Sequence, residues 1–238
     1  MKIQDVTVLE NRIPEIQYIA PRNAKGVFGD APAKVVRGLK SGDYAIYGDF
    51  QGEKVDRNQI EVKHFQSWID WCETQEIGMD FNASCFSHTR AADGYTLSSK
   101  NEENRQFWVE HVKRCRAISS EAGKQLGSPC VHNTWIPDGS KDTPIDRNGY
   151  RALLKKSLDE AFETVYPKEY MKDAVESKLF GIGVESMTVG SHDFYLGYAI
   201  KNNILICLDN GHFHPTEQVG DKISAVLQFV VNAFSEIR

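Results

Sequence analysis

An alternation of short apolar runs with longer segments of helical period constrains the fold of this chain more than any other feature. Strands that are apolar throughout are typical of a parallel sheet covered by helices on both faces. The sequence therefore predicts an α/β domain, built either as an eight-stranded barrel or as an open doubly wound sheet. The runs that predict strands are 79-MDFNASCF-86, 129-PCVHNTW-135, 178-KLFGIGVE-185, 203-NILICLD-209 and, earlier, 43-DYAIYGDF-50.

The segments between these runs carry apolar side chains at helical spacing, which predicts amphipathic helices. Gly78 and Gly127 follow two of them, where a helix commonly ends, and Ser191 is placed to cap a short helix. No GxGxxG or GxxxxGK[ST] motif follows a strand, which argues against a nucleotide-binding open sheet. The predicted helical segments are 64–77, 101–126, 147–165, the residues after Ser191, and 223–234.

Charge and composition exclude several functional classes. The net charge of −5 comes from 28 basic and 33 acidic residues mixed along 238 residues, so we expect no nucleic-acid partner. The 5 cysteines are an odd number without a CxxC pair, which indicates reduced thiols in the cytoplasm. Residues 1–21 contain acids and no long apolar core, so we expect neither a signal peptide nor a membrane span.

Polar side chains of ligand type converge at the predicted carboxyl edge of the sheet, where parallel α/β folds bind their ligands. No comparable set of ligand-type side chains lies at the opposite ends of the predicted strands. The argument for function rests on this convergence, since no single residue carries it. The residues follow or end the four main strands in turn: His88, then Trp135 and Asp138, then Glu185, then Asp209 and His212.

Glu185 and Asp209 end strands that we expect to be neighbours. Two carboxylates held close together repel each other unless a cation or a shared proton lies between them. A divalent metal is the usual resolution, and His212, three residues after Asp209, can face the same pocket. This mixture of oxygen and nitrogen ligands suits Mn²⁺, Zn²⁺ or Co²⁺ better than Ca²⁺.

Each of these residues also has a purely structural interpretation. An acid after a strand is often a helix N-cap, which applies to Glu185 and Asp209 alike. His214 precedes Pro215 and fits the cap of a helix that begins there. His88 alone fits a structural histidine, and Trp135 alone fits the core. The histidines interpreted as structural are His64, His111, His132 and His192.

Several long strings resemble the bacterial L-rhamnose isomerase family, and the resemblance runs from about residue 44 to the C-terminus. It implies a homotetrameric, cytoplasmic (β/α)₈ barrel of the TIM type. It also implies an aldose–ketose isomerase that uses two divalent ions, typically Mn²⁺, to interconvert L-rhamnose and L-rhamnulose in sugar catabolism. The strings include 80-DFNASCFSH-88, 134-TWIPDGSKD-142, 174-AVESKLFGIGVES-186 and 208-LDNGHFHPTE-217.

The resemblance also implies roles for individual residues. Glu185 and Asp209 match ligands of a structural metal, and His212 matches a ligand of the catalytic metal. His88 matches a catalytic, substrate-contacting histidine near ring opening, and Trp135 and Asp138 match the sugar pocket. Related isomerases often carry a lysine two residues after the glutamate. That position after Glu185 is Met187, so no lysine role follows from it.

The chemistry of the family fits these ligand types. A metal bound to O1 and O2 of the open-chain sugar acts as a Lewis acid, so that a hydrogen can move between C1 and C2 as a hydride. The protein then needs only to position the sugar and neutralise charge.

The family proteins are considerably longer than this chain. We expect residues 1–43 to be a poorly matched N-terminal segment and 44–238 to be an incomplete barrel of N-terminal and middle βα units. We accordingly expect a truncated isomerase with little or no activity alone. The alternatives are a noncatalytic metal-binding or sugar-binding remnant that scaffolds an oligomer, and an isomerase of the same type acting on L-lyxose or L-mannose.

Overall fold

The main sheet of the protein consists of four parallel strands lying side by side in chain order. The computed structural model describes residues 48–51, 53–178, 186–214 and 216–229. Within them the strands are β1 (Phe81–Ser84), β2 (Cys130–Trp135), β3 (Gly139–Ser140), β4 (Met171–Glu176), β5 (Met187–Thr188) and β6 (Leu205–Cys207). The order of the main sheet is β1, β2, β4, β6, and β3 and β5 form a separate antiparallel pair.

Helices connect the strands, and three of them begin at a capping side chain. The helices are α1 (Gln66–Thr74), α2 (Glu102–Leu126), α3 (Arg147–Ala161), α4 (His192–Asn202) and α5 (Val219–Val226). Asn101 caps α2, Asp146 caps α3 and Ser191 caps α4. Each accepts a hydrogen bond from a backbone N–H of the first turn, which satisfies a donor that the helix itself leaves free. Gly127 ends α2 in the left-handed region, with φ of 63°.

The strand order follows the chain without reversal. A doubly wound sheet reverses its order at a switch point, whereas a (β/α) barrel adds each strand beside the previous one. The predicted α/β class with a parallel sheet is confirmed in the described ranges, where four parallel strands lie in chain order. No helix in these ranges is both long and apolar enough to cross a bilayer.

The core lies between α2 and the sheet. The predicted apolar face of α2 is buried, which contributes about 1.5–3 kcal/mol for each large side chain. At Gly123 the helix approaches the Tyr170 carbonyl so closely that a Cβ would have no room. The buried face of α2 includes Trp108, Val112, Cys115, Ile118 and Ala122.

The third strand of the main sheet, β4, is not among the strands that the sequence predicts. It ends at Glu176, and Ser177 and Lys178 follow it without strand structure; the remaining residues of the predicted strand 178–185 lie outside the described residues. An unbroken apolar run predicts a buried strand, and Lys172 and Asp173 interrupt such a run in β4. Asp173 is accommodated because Arg116 of α2 donates to both its carboxylate oxygens at 2.8 Å.

Other boundaries differ less. The third predicted helix, 147–165, ends at Ala161, and the first, 64–77, is shorter at both ends. Gly48 to Phe50 show no strand structure, and the rest of the predicted strand at 43–50 lies outside the described residues, as do 230–234 of the last predicted helix. Apolar residues continue past the last hydrogen-bonded turn of these helices, and sequence periodicity does not mark that turn.

At the amino edge of the sheet, Asp80 joins β1 to β2. Its Oδ1 accepts a hydrogen bond from the Val131 N–H at 2.8 Å. Burial raises the pKa of Asp80 to about 6, and the bond from Val131 opposes that rise. An unfolded aspartate titrates near a pKa of about 3.9. The folded protein therefore holds the proton more tightly, and its stability falls as pH rises from about 4 to about 6.

We expect Asp80→Asn to remove this loss, because asparagine keeps the acceptor for Val131 and cannot ionise. Urea denaturation should show the variant more stable than the original by about 1–2 kcal/mol at pH 8, with little difference at pH 4. The matched control is Asp70→Asn at an exposed position of α1, which should change stability by less than about 0.5 kcal/mol. A gain for Asp80→Asn at pH 4 but not at pH 8 would contradict the sign argued here.

Candidate functional site

The strand register places one row of side chains at the carboxyl edge of the sheet. Ser84 pairs with Trp135, Trp135 with Glu176, and Glu176 with Cys207. Because paired residues of parallel strands point to the same face, these four side chains share one surface of the sheet. Asn133, two residues before Trp135, points to that face as well. A buried glutamate thus stands at the edge where α/β folds bind ligands.

Three ligand-type side chains meet at this edge. Glu176, Asp209 and His212 each offer an atom within 4.8 Å of the others. Asp209 follows β6, and its Oδ1 accepts from the Gly211 N–H at 2.7 Å, which starts the short 3₁₀ helix Asn210–His212. That turn carries the imidazole of His212 back to the end of β4. Asp209 is therefore a cap and a member of the cluster at once.

The hydrogen bonds of His212 fix its tautomer. Its Nδ1 lies 2.9 Å from Glu176 Oε1 and 3.0 Å from the Ser177 carbonyl oxygen. Both are acceptors, so Nδ1 carries the proton and Nε2 presents a lone pair in the neutral ring. The bond to Glu176 raises the pKa of His212 above its usual value, against the opposing effect of burial. Nε2 lies 3.6 Å from Asp209 Oδ2, so a nitrogen and an oxygen ligand face each other.

Neighbouring side chains pack around Glu176 and His212 and hold them in this geometry. Glu176 is only 3% exposed, and its Oε2 accepts a hydrogen bond from Asn133 Nδ2. Trp135, 6% exposed, stacks on the His212 ring with centroids 5.6 Å apart and planes 19° apart. Phe86 meets the edge of Trp135 at 5.4 Å. The imidazole and the carboxylate are thus confined on several sides.

His88 has its own set of contacts in the loop after β1. Its Nδ1 accepts from the Arg90 N–H at 3.1 Å, so Nε2 carries the proton in the neutral ring and lies 3.1 Å from Asp56 Oδ1. The ring stacks on Phe107 at 5.0 Å and meets Trp108 edge-on at 5.5 Å. Both nitrogens are thus engaged by this chain, and His88 caps the short 3₁₀ helix Thr89–Ala91.

Asp138 is buried in a polar pocket. It is 1% exposed, and its two oxygens accept from the backbone N–H and the hydroxyl of both Thr96 and Ser98, at 2.6–3.0 Å. Burial raises its pKa, and these four bonds oppose the rise. The geometry ties the loop after β2 to the segment 96–98. These four hydrogen bonds satisfy both oxygens of the buried carboxylate, so its burial does not require a bound ligand.

Glu185 lies outside the described residues, so the structure brings together Asp209 and His212 of the predicted ligands with Glu176 as the third. The sequence contains a signal that singles out Glu176: Lys178 stands two residues after it, which is the spacing expected of related aldose isomerases. Lys178 is 2% exposed. Asn133 has no comparable signal, because an asparagine within a strand is not distinctive by itself.

The donor set fits a divalent cation. Carboxylate oxygens with one imidazole nitrogen suit Mn²⁺ and its neighbours among the divalent metals. Near the same edge, Ser84 Oγ, Asn133 Oδ1 and Ser177 Oγ are buried and have no hydrogen-bond partner in the described part of the chain. Buried polar atoms are normally paired. The three ligand-type side chains fit a divalent cation, and polar atoms that are unpaired within the described ranges lie near the same edge.

The parallel sheet and the carboxylate–histidine cluster at its carboxyl edge define an α/β domain with a candidate divalent-cation site. The chain belongs to the L-rhamnose isomerase family, since residues 32–236 match that family (RhaA). It is 54% identical over 187 residues to the L-rhamnose isomerases of Bacteroides thetaiotaomicron and Rhodopirellula baltica, which covers 79% of this chain and 44% of each relative.

The corresponding enzyme of Listeria monocytogenes serotype 4a is 52% identical over 186 residues, which covers 78% of this chain and 44% of that relative. The chain thus spans less than half the length of these relatives.

Proposed function

We propose that this chain is part of an aldose–ketose isomerase that interconverts L-rhamnose and L-rhamnulose by a metal-assisted hydride shift. The observation that carries the proposal is the Glu176, Asp209 and His212 cluster at the carboxyl edge, in a chain of the L-rhamnose isomerase family. The two carboxylates supply the negative charge that a divalent ion requires, and His212 supplies a neutral nitrogen.

We propose Mn²⁺ as the ion, with two ions in a complete site. When bound, such an ion supplies Lewis acidity that polarises the sugar carbonyl. The chain's own residues would orient the substrate, and the candidates to hydrogen-bond a polyol are the hydroxyls of Ser84 and Ser177, which are buried and have no hydrogen-bond partner in the described part of the chain. Trp135 stacks on His212 and keeps that imidazole in one plane. Glu176 and Trp135 are buried at this edge, whereas Asp209 is exposed and faces the solvent from which a substrate arrives.

Within this proposal His88 keeps the catalytic role that the family resemblance implies. Asp56 accepts from Nε2 and orients the ring, and because Nδ1 is held by the Arg90 N–H, proton exchange with a sugar hydroxyl requires the substrate to displace the Asp56 contact at Nε2. For Asp138 the structure favours a positioning role over a direct sugar contact, because both its oxygens are engaged by Thr96 and Ser98. Trp135 remains the proposed wall of the pocket.

We further propose that the complete protein is a closed (β/α)₈ barrel that acts as a cytoplasmic homotetramer. The order of the parallel strands supports the barrel, because each strand lies beside its predecessor. In the described ranges β1 and β6 are the outer strands of the main sheet, and a barrel closes when further strands join such edges.

The test is L-rhamnulose formation from L-rhamnose with Mn²⁺. The chain is assayed alone and after co-expression with the part of the Bacteroides relative that the match does not cover. We expect Mn²⁺-dependent turnover in the co-expressed pair and its loss on Asp209→Ala, because that change removes one of the carboxylates. The control is Asp142→Ala, at an exposed position outside the cluster.

L-mannose and L-lyxose are assayed beside L-rhamnose. Faster turnover of either would change the proposed sugar and leave the reaction type intact. No turnover of any of the three sugars by the pair would overturn the enzymatic proposal in favour of a noncatalytic metal-binding or sugar-binding protein.

A further inference from the structure

Asn133 lies on the same sheet face as Glu176 and contacts it directly. It stands on β2 in register with Ala174 of β4, two residues before Glu176, so its side chain reaches the carboxylate along a diagonal. The residue is 7% exposed, and Nδ2 donates to Glu176 Oε2. With Oε1 next to His212 Nδ1, both oxygens of the glutamate are then engaged.

This contact decides which way the amide points. An ionised carboxylate only accepts, so the NH₂ group must face Glu176 and the amide oxygen must face away. Asn133 Oδ1 is then buried, and it has no hydrogen-bond partner within the ranges that the structure describes. A buried acceptor without a partner is unfavourable. If Asn133 served folding alone, we would expect both its Nδ2 and its Oδ1 to have partners. Instead, the bond to Glu176 sets the orientation of the amide and leaves Oδ1 without a partner in the described ranges.

We propose that Asn133 is a positioning residue that fixes the Glu176 carboxylate for divalent-cation binding and presents Oδ1 to a hydroxyl of the bound ligand. This inference rests on the proposed metal-dependent function and adds a residue to it. A carboxylate confined by its neighbours loses less freedom when it binds a cation. Partners of this kind are known to alter metal affinity by about 10–100-fold when they are removed.

The experiment is a titration of the whole chain with Mn²⁺, followed by the electron paramagnetic resonance signal of the free ion. Asn133→Leu keeps roughly the volume of the side chain and removes the donor. We expect its Mn²⁺ affinity to fall by about 10–100-fold. The matched control is Asn82→Leu, because Asn82 is the buried register partner of Asn133 on β1. That variant should keep the affinity of the original chain.

The melting temperature without metal is measured for both variants, since a merely structural asparagine would lower it without a specific effect on Mn²⁺. If Asn133→Leu does not fold, Asn133→Ala takes its place, because it introduces no bulk. Unchanged affinity in the folded Asn133 variant would overturn the inference while the proposed function stands. Failure of the original chain to bind Mn²⁺ would overturn the inference and the proposed metal site together, and equal losses in both variants would also overturn the inference.

Discussion

Replacing Glu176 with glutamine is expected to abolish Mn²⁺ binding at the carboxyl edge of the sheet. The loss should exceed the ~10–100-fold that removal of an outer partner causes, because Glu176 is itself a proposed ligand. The substitution removes the charge of a carboxylate that is 3% exposed and bonded to His212. The affinity is measured by calorimetric titration of the chain with Mn²⁺, and urea denaturation without metal shows whether the variant is folded.

Comparing the Mn²⁺ affinities of Glu185→Gln and Glu176→Gln tests which of the two glutamates is the metal ligand. The sequence resemblance assigns Glu185 as the ligand, whereas the structure places Glu176 with Asp209 and His212. We expect Glu185→Gln to bind Mn²⁺ as tightly as the original chain. The opposite pattern, with affinity lost in Glu185→Gln and kept in Glu176→Gln, would show that the sequence assignment is right and that the cluster at β4 is not the cation site.

The sequence was sufficient for the part of the site that follows β6. Asp209 and His212 come directly after an apolar strand, and a turn of three residues is local enough to be inferred from spacing. Glu176 was harder to find, because β4 is not an apolar run. Asp173 of this strand is stabilised by Arg116 of helix α2, and local periodicity does not indicate a contact between residues so far apart in the chain.

The helices were predictable for a related reason. Their apolar faces and their caps are properties of neighbouring residues, so Ser191 and the face of α2 could be assigned without tertiary information. Their ends could not, because the last turn depends on packing. The contacts of Asp138 could not be inferred from the sequence either, because they also depend on tertiary structure. Its partners Thr96 and Ser98 lie about 40 residues earlier, so the sequence offered only its position after a strand.

Replacing Asp138 with alanine is expected to destabilise the protein by roughly 3–5 kcal/mol, because it leaves two N–H groups and two hydroxyls without their buried acceptor. Urea denaturation without metal measures the change. Asp142→Ala, four residues further on at an exposed position, should alter stability by less than about 0.5 kcal/mol.

The two roles considered for Asp138 predict opposite results. A direct contact with the sugar would leave stability nearly unchanged and raise the KM for L-rhamnose in the assembled enzyme. A positioning role lowers stability in the absence of any sugar, because the bonds from Thr96 and Ser98 exist without it. Those bonds hold the loop that begins after Trp135, and Trp135 in turn stacks on His212. Loss of Asp138 should therefore loosen the cation site through the loop, even though the carboxylate contacts no member of the cluster in the described part of the chain.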